Sequence, residues 1–101
     1  NKLNLIDANG NLLFKQWFDY IEGFRNGFDK VSLNRKCNLI DQNGKLVSKQ
    51  WFDWIGDFEN GIALVELNNK WNFIDANGNF LSEQWFDSSY DAIRFRKEFL
   101  K

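Results

Sequence analysis

The 101-residue sequence contains no histidine and a single cysteine, Cys37. Structural and catalytic zinc sites are assembled from Cys and His, and Ser–His or Cys–His nucleophile pairs need an imidazole base; both classes are excluded. One thiol also excludes an internal disulfide framework. No apolar run approaches the roughly 18 residues of a membrane-spanning helix, and no charged start leads into an apolar leader segment, so no membrane span is expected. Charge of one sign is lacking as well. Thirteen basic and fourteen acidic residues are interspersed to a net −1. Without a basic stripe there is no means of releasing phosphate counterions, which argues against nucleic acid as a partner. Methionine is absent and the chain opens in mid-repeat, so it reads as part of a longer protein with its compartment open.

What is present is aromatic. Eleven Phe, five Trp and two Tyr make up 18% of the chain, within a hydrophobic share of 44%. The length suits one domain with a core of its own, and aromatic residues favour pleated, half-buried surfaces. The sequence is organised by repetition. Asn4–Asp19 returns as Asn38–Asp53 and Asn72–Asp87, at a constant period of 34 residues. Such a period marks a repeat architecture, with units at about 2–35, 36–69 and 70–101 in a single domain spanning 1–101.

Each unit begins with a short strand A (2–7, 36–41, 70–75). There Trp71 and Phe73 share one face, with Asn72 and Ile74 on the other. Leu3 and Cys37 stand where Trp71 stands, so Cys37 is read as a small hydrophobe filling a core slot, the alternative being a reactive or partner-linked thiol. An Asp-x-Asn-Gly turn follows, at Asp7 to Gly10, Asp41 to Gly44 and Asp75 to Gly78. Asp opens such a turn by accepting backbone N–H groups, and Gly supplies the positive φ. Strand B is placed at 11–14, 45–48 and 79–82, running on into Gln-Trp-Phe-Asp with apolar groups on both faces, as in stacked layers. Residues 20–27 and 54–61 are too irregular for plain strands. Strand C takes 28–33 and 62–67, with Val31 and Leu33 on one face, and Asn34-Arg35 or Asn68-Asn69 links C back to A. Equivalent stacking then calls for C–A–B meanders joined by the irregular segment.

In the third unit Trp54 and Ile55 become Ser88 and Ser89, and Phe95–Lys101 aligns with Phe24–Lys30 only after an insertion near 88–92. The expectation there is an interrupted C strand, with an amphipathic helix over 90–100 as the alternative, since repeat arrays often end in an atypical unit. The fold class is therefore all-β: an array of three antiparallel three-stranded units, with a short C-terminal helix as a variant ending.

Lys70-Trp-Asn-Phe-Ile-Asp-Ala-Asn-Gly78, preceded by Gly61-Ile-Ala-Leu-Val65 and followed by Trp85-Phe86-Asp87, resembles the bacterial WG (KWG) β-repeats. Asn4, Asn38 and Asn72 replace the glycine that gives the family its name. The resemblance implies a β-rich repeat scaffold, often inside larger proteins, and implies no catalytic activity or cofactor.

Asp75 to Glu83 places oxygen ligands at alternate positions, but Phe80 and Phe86 stand where a calcium loop needs Gly and Glu, so an Asp-initiated turn is preferred. Asp19, Asp53 and Asp87 recur at the repeat period, unlike the single asymmetric constellation of an active site, and are read as structural. No enzyme activity is expected. The candidate partner surfaces are the repeated Trp17, Trp51 and Trp85, which are either an aromatic platform or packing between units, and the variable positions Tyr20/Trp54/Ser88 and Arg25/Glu59. The leading expectation is a protein-binding or spacer module acting on another protein or another domain of its own chain; the alternative is a carbohydrate or cell-surface ligand held on exposed Trp.

Overall fold

The structure, a computed structural model, describes residues 2–15, 17–25 and 27–99, the backbone alone at residues 24, 25 and 99. Gln16, Asn26, the Arg25 side chain and residues 100–101 lie outside the described residues.

Two antiparallel three-stranded sheets and one helix follow in chain order. β1 (Tyr20–Arg25), β2 (Phe28–Leu33) and β3 (Lys36–Ile40) form the first sheet; β4 (Trp54–Ile55), β5 (Ile62–Leu67) and β6 (Lys70–Asp75) form the second; α1 (Ser89–Phe99) closes the chain. The C-to-A links are what make each sheet. Asn34 and Arg35 sit at φ 53° and 68°, Asn68 and Asn69 at 53° and 65°. Both residues of a two-residue hairpin of this hand must be left-handed, a conformation Asn tolerates better than most. The turns pair Leu33 with Lys36 and Leu67 with Lys70, setting the register of β2 on β3 and β5 on β6.

The sheets stack as layers, and their side-chain parity separates the contacts. Val31 and Ile40, on one face of the first sheet, pack with Phe18 of the 2–19 segment, joined by Leu5, Leu33 and Trp51. Leu39 and Cys37, on its other face, meet the second sheet, where Phe52, Ile55, Val65 and Ile74 form the largest buried cluster. The far face of the second sheet, through Phe73 and Ile62, meets Ala92 of α1. The result is an elongated stack with extents of 45 × 26 × 18 Å.

Four expectations need correction. Residues 2–7 are not a strand A: Leu3 and Ile6 make isolated bridges, and among the described residues no C strand pairs with them, so two three-stranded sheets stand in place of three three-stranded units. The B segments are not strands. Their strand pairing with strand A is limited to isolated bridges, Leu3 to Phe18, Cys37 to Phe52 and Trp71 to Phe86, with tighter ones at Ile6–Leu12, Ile40–Leu46 and Ile74–Phe80. The physical reason lies in the asparagines of strand A. Asn38 Nδ2 donates to the Ser48 carbonyl at 2.8 Å while Asn38 Oδ1 accepts from Leu39 N–H at 2.7 Å, and Asn4 and Asn72 do the same at Phe14 and Ser82. A side chain takes the ladder's hydrogen bonds, so the B segment runs as an irregular loop.

Conversely, the irregular segments supply the outer strands β1 and β4, so the sheet order is outer strand–C–A rather than C–A–B. β1 carries a bulge between Ile21 and Phe24. There the Asp29 carboxylate accepts the Gly23 N–H at 2.6 Å, giving a donor removed from the ladder a partner of its own.

The C-terminal stretch is helical. Ser88, at the position of Trp54, accepts the Asp91 N–H on its hydroxyl at 3.1 Å, as an N-cap residue does. Arg96 and Lys97 lie in the last turn, where they favour the helix dipole. No insertion is needed to explain the altered pattern. Ala92 stands 34 residues after Phe58 and packs with Ile62 and Phe73, just as Phe58 packs with Phe28 and Leu39. The phase holds to Ala92, with a helix in place of the outer strand.

Candidate interaction surface

The repeated Trp residues are divided by the stack. Trp51 packs against the first-sheet cluster with its ring 6.3 Å from Phe18; Trp85 does the same on Phe52 at 6.5 Å, with Phe80 5.1 Å away. Each is half-buried between consecutive layers, whereas Trp17 is 46% exposed. The three therefore do not form an open aromatic row. The indole at one position is packing in two copies and surface in the third.

Tyr20 and Trp54 open β1 and β4 and are 50% and 43% exposed. They pair with Ser32 and Glu66, placing both at equivalent points on the outer strands. Trp54 meets Trp71 edge-on at 5.8 Å and carries the Lys30 ammonium 5.9 Å from its ring centre. Lys30 also approaches Glu22 at 3.8 Å. The combination is an amphipathic edge with aromatic surface, one cation and nearby carboxylates, which suits recognition of a mixed polar and apolar peptide surface.

The repeated acids serve the backbone. Asp7, Asp41 and Asp75 each accept two N–H groups on Oδ1 at 2.9 Å, from the residues two and four positions on. Gly10, Gly44 and Gly78 sit at φ 81–83° and donate to the same Asp carbonyl at 3.0 Å. The N–H of Asn11 holds the Asp7 carboxyl below its usual range against the opposing effect of burial, and the Asn9 N–H adds to the lowering. Asp19 and Asp53 pair with Lys2 and Lys36 and accept the turn N–H groups of Asn34 and Asn68 at 2.9 Å; Asp87 pairs with Lys70. The lysine hydrogen bond is the main cause lowering all three acids, and the turn N–H adds to it for Asp19 and Asp53.

Sequence reasoning missed two features. The buried asparagines were legible in principle, as Asn repeats on the Ile face of strand A. Asp29 gave a weaker signal: it shares the parity of Val31, which the structure buries, and stands where the next unit has Ala63. It is buried, its second oxygen has no partner, and burial pushes its carboxyl up. Cys37 is half-buried against the central cluster, and burial raises its thiol too. Among the described residues no group of three or more His, Cys, Asp or Glu is arranged to hold a metal ion, and no helix is long and apolar enough to cross a membrane.

Residues 39–71 match the family model described as WG containing repeat. This stretch is similar to a WG repeat. The matched third of the sequence runs from β3 through the Asp41 turn, the Trp51-Phe52-Asp53 loop, β4 and β5, and ends on Lys70-Trp71. It thus takes in 33 residues, one short of a full repeat period, including the Trp51 contact to the preceding layer and the Asp53 turn contact. No curated protein and no solved structure matches the chain.

Proposed function

We propose that the chain is a non-catalytic scaffold of three stacked WG-type units that binds another protein through the outer-strand edge bearing Tyr20 and Trp54. The observation that carries this reading is the division of the aromatic residues. Trp51 and Trp85 are taken up between layers, while the non-repeated Tyr20 and Trp54 stay exposed at equivalent points of successive sheets. The three-unit description is supported by bridges that recur at the 34-residue period from Leu3–Phe18 to Trp71–Phe86. Non-catalytic character is supported by the acids, whose repeated carboxylates are engaged by turn N–H groups and lysines.

A carbohydrate platform of three parallel indoles is disfavoured because only Trp17 of that set is open. The test is capture of interacting proteins from a source extract by wild type and by Trp54→Ala, together with a glycan array. Protein capture lost in the variant supports the proposal. Glycan binding that depends on Trp54, without protein capture, replaces it with the carbohydrate reading.

A further inference from the structure

The outward face of the first layer repeats, at Ile6, Gly10 and Trp17, a surface that the chain covers twice elsewhere. Ile40 and Ile74 are both 0% exposed, packed against Phe18 and Val31 or Phe52 and Val65 of the preceding repeat unit; Ile6, at the same position, is 65% exposed. Trp51 and Trp85 pack towards Phe18 and Phe52, but Trp17 is open. The turn glycines agree. A Cβ on Gly44 would lie 3.2 Å from Leu13 Cβ and one on Gly78 would run into the Val47 carbonyl, whereas one on Gly10 meets nothing within 4 Å. Strand A follows the same rule: β3 and β6 are paired along one edge by β2 and β5, and among the described residues no strand pairs with that edge of 2–7.

We propose that this face, formed by Ile6, Gly10 and Trp17 with the adjacent edge of residues 2–7, is a docking surface for one further WG-type unit. The occupant would present an uncovered Phe to Trp17 and Ile6, and a C-type strand with a buried Val to the open edge. That is the chemistry the two internal junctions already use, so the surface continues an interface present in the fold. A second copy of this chain does not meet the requirement. Its Phe86 is covered by Phe95 of α1 at 5.2 Å, Ala92 fills the next core slot, and its C strands are paired on both edges. The helix thus blocks head-to-tail growth at one end and leaves docking to the other. This inference rests on the layer contacts and is independent of the Tyr20–Trp54 edge.

The test places a copy of residues 35–68 ahead of residue 1 of the full chain, which preserves the period. The copy carries Trp51→Phe and Trp54→Phe so that it adds no indole, and the host carries Trp54→Phe. Docking predicts that acrylamide quenching falls from that of the unextended host towards that of a Trp17→Phe host, as expected of a half-buried indole, and that Tm rises. The same addition carrying Phe52→Ser in the copy leaves Trp17 quenchable. Unchanged quenching of Trp17, or an added copy that stays unfolded against this face by circular dichroism, overturns the proposal. So does an unextended chain that sediments as a dimer and is made monomeric by Ile6→Lys, because a second copy would then be the occupant. Loss of protein capture in Trp54→Ala changes none of these readouts.

Discussion

Alanine at the three turn glycines separates local strain from packing between layers. Gly10, Gly44 and Gly78 have nearly the same backbone, φ 83°, 81° and 82°. A Cβ in left-handed backbone costs about 1–2 kcal/mol, and this part is common to all three. The surroundings differ. At Gly10 the methyl enters open space. At Gly44 it stands 3.2 Å from Leu13 Cβ, a side chain able to give by a few tenths of an ångström. At Gly78 it meets the Val47 carbonyl, with Ser48 Cα at 3.3 Å, so backbone must move. Overpacking of that kind adds about 1–3 kcal/mol, giving roughly 2–5 kcal/mol at Gly78 against about 1–2 at Gly10, with Gly44 between. The assay is urea unfolding of the three variants, comparing midpoints at constant slope, with Tm as a second readout. A domain of this size loses about 4–8 °C per kcal/mol, so the Gly78 and Gly10 variants are well separated. Equal losses at the three positions would refute the argument, because they would mean that the turn of one unit does not press on the loop before it.

Asn38→Ala is expected to cost about 1–3 kcal/mol by leaving the Ser48 carbonyl and Leu39 N–H without their side-chain partner, measured by urea unfolding; a loss within error would show that the loop needs no such tether. Trp85→Ala, which removes a half-buried ring packed on Phe52, is expected to cost about 2 kcal/mol, and Trp17→Ala less than about 0.5 kcal/mol, by the same measurement. For Asp29 the sign follows from burial. Its folded pKa lies above 3.8, so its contribution is fully present below pH 3.8 and is lost as pH rises through the folded value. Asp29→Asn keeps an oxygen for the Gly23 N–H and removes the charge. Its Tm should exceed wild type at neutral pH, with the advantage vanishing below pH 3.8; Asp19, Asp53 and Asp87 titrate with the opposite sign but equally in both proteins.

Much of this architecture was written locally. The 34-residue period, the Asp-x-Asn-Gly turns, the two-residue Asn links and the alternation of Asn72/Ile74 against Trp71/Phe73 depend on neighbours close in sequence and on side-chain parity, both of which are visible in the letters alone. Strand pairing was not, because an extended segment can take its hydrogen bonds from another strand or from a side chain. The buried asparagines decided that choice for residues 45–48, and β1 and β4 took the sheet position instead. The C-terminal helix lay between the two: Ser88 is a local N-cap signal, but only Ala92 in the slot of Phe58 gives the helix a reason to dock. The same Trp in three copies has no fixed meaning in sequence. Its burial depends on whether a layer lies against it, and that neighbour is supplied by tertiary structure.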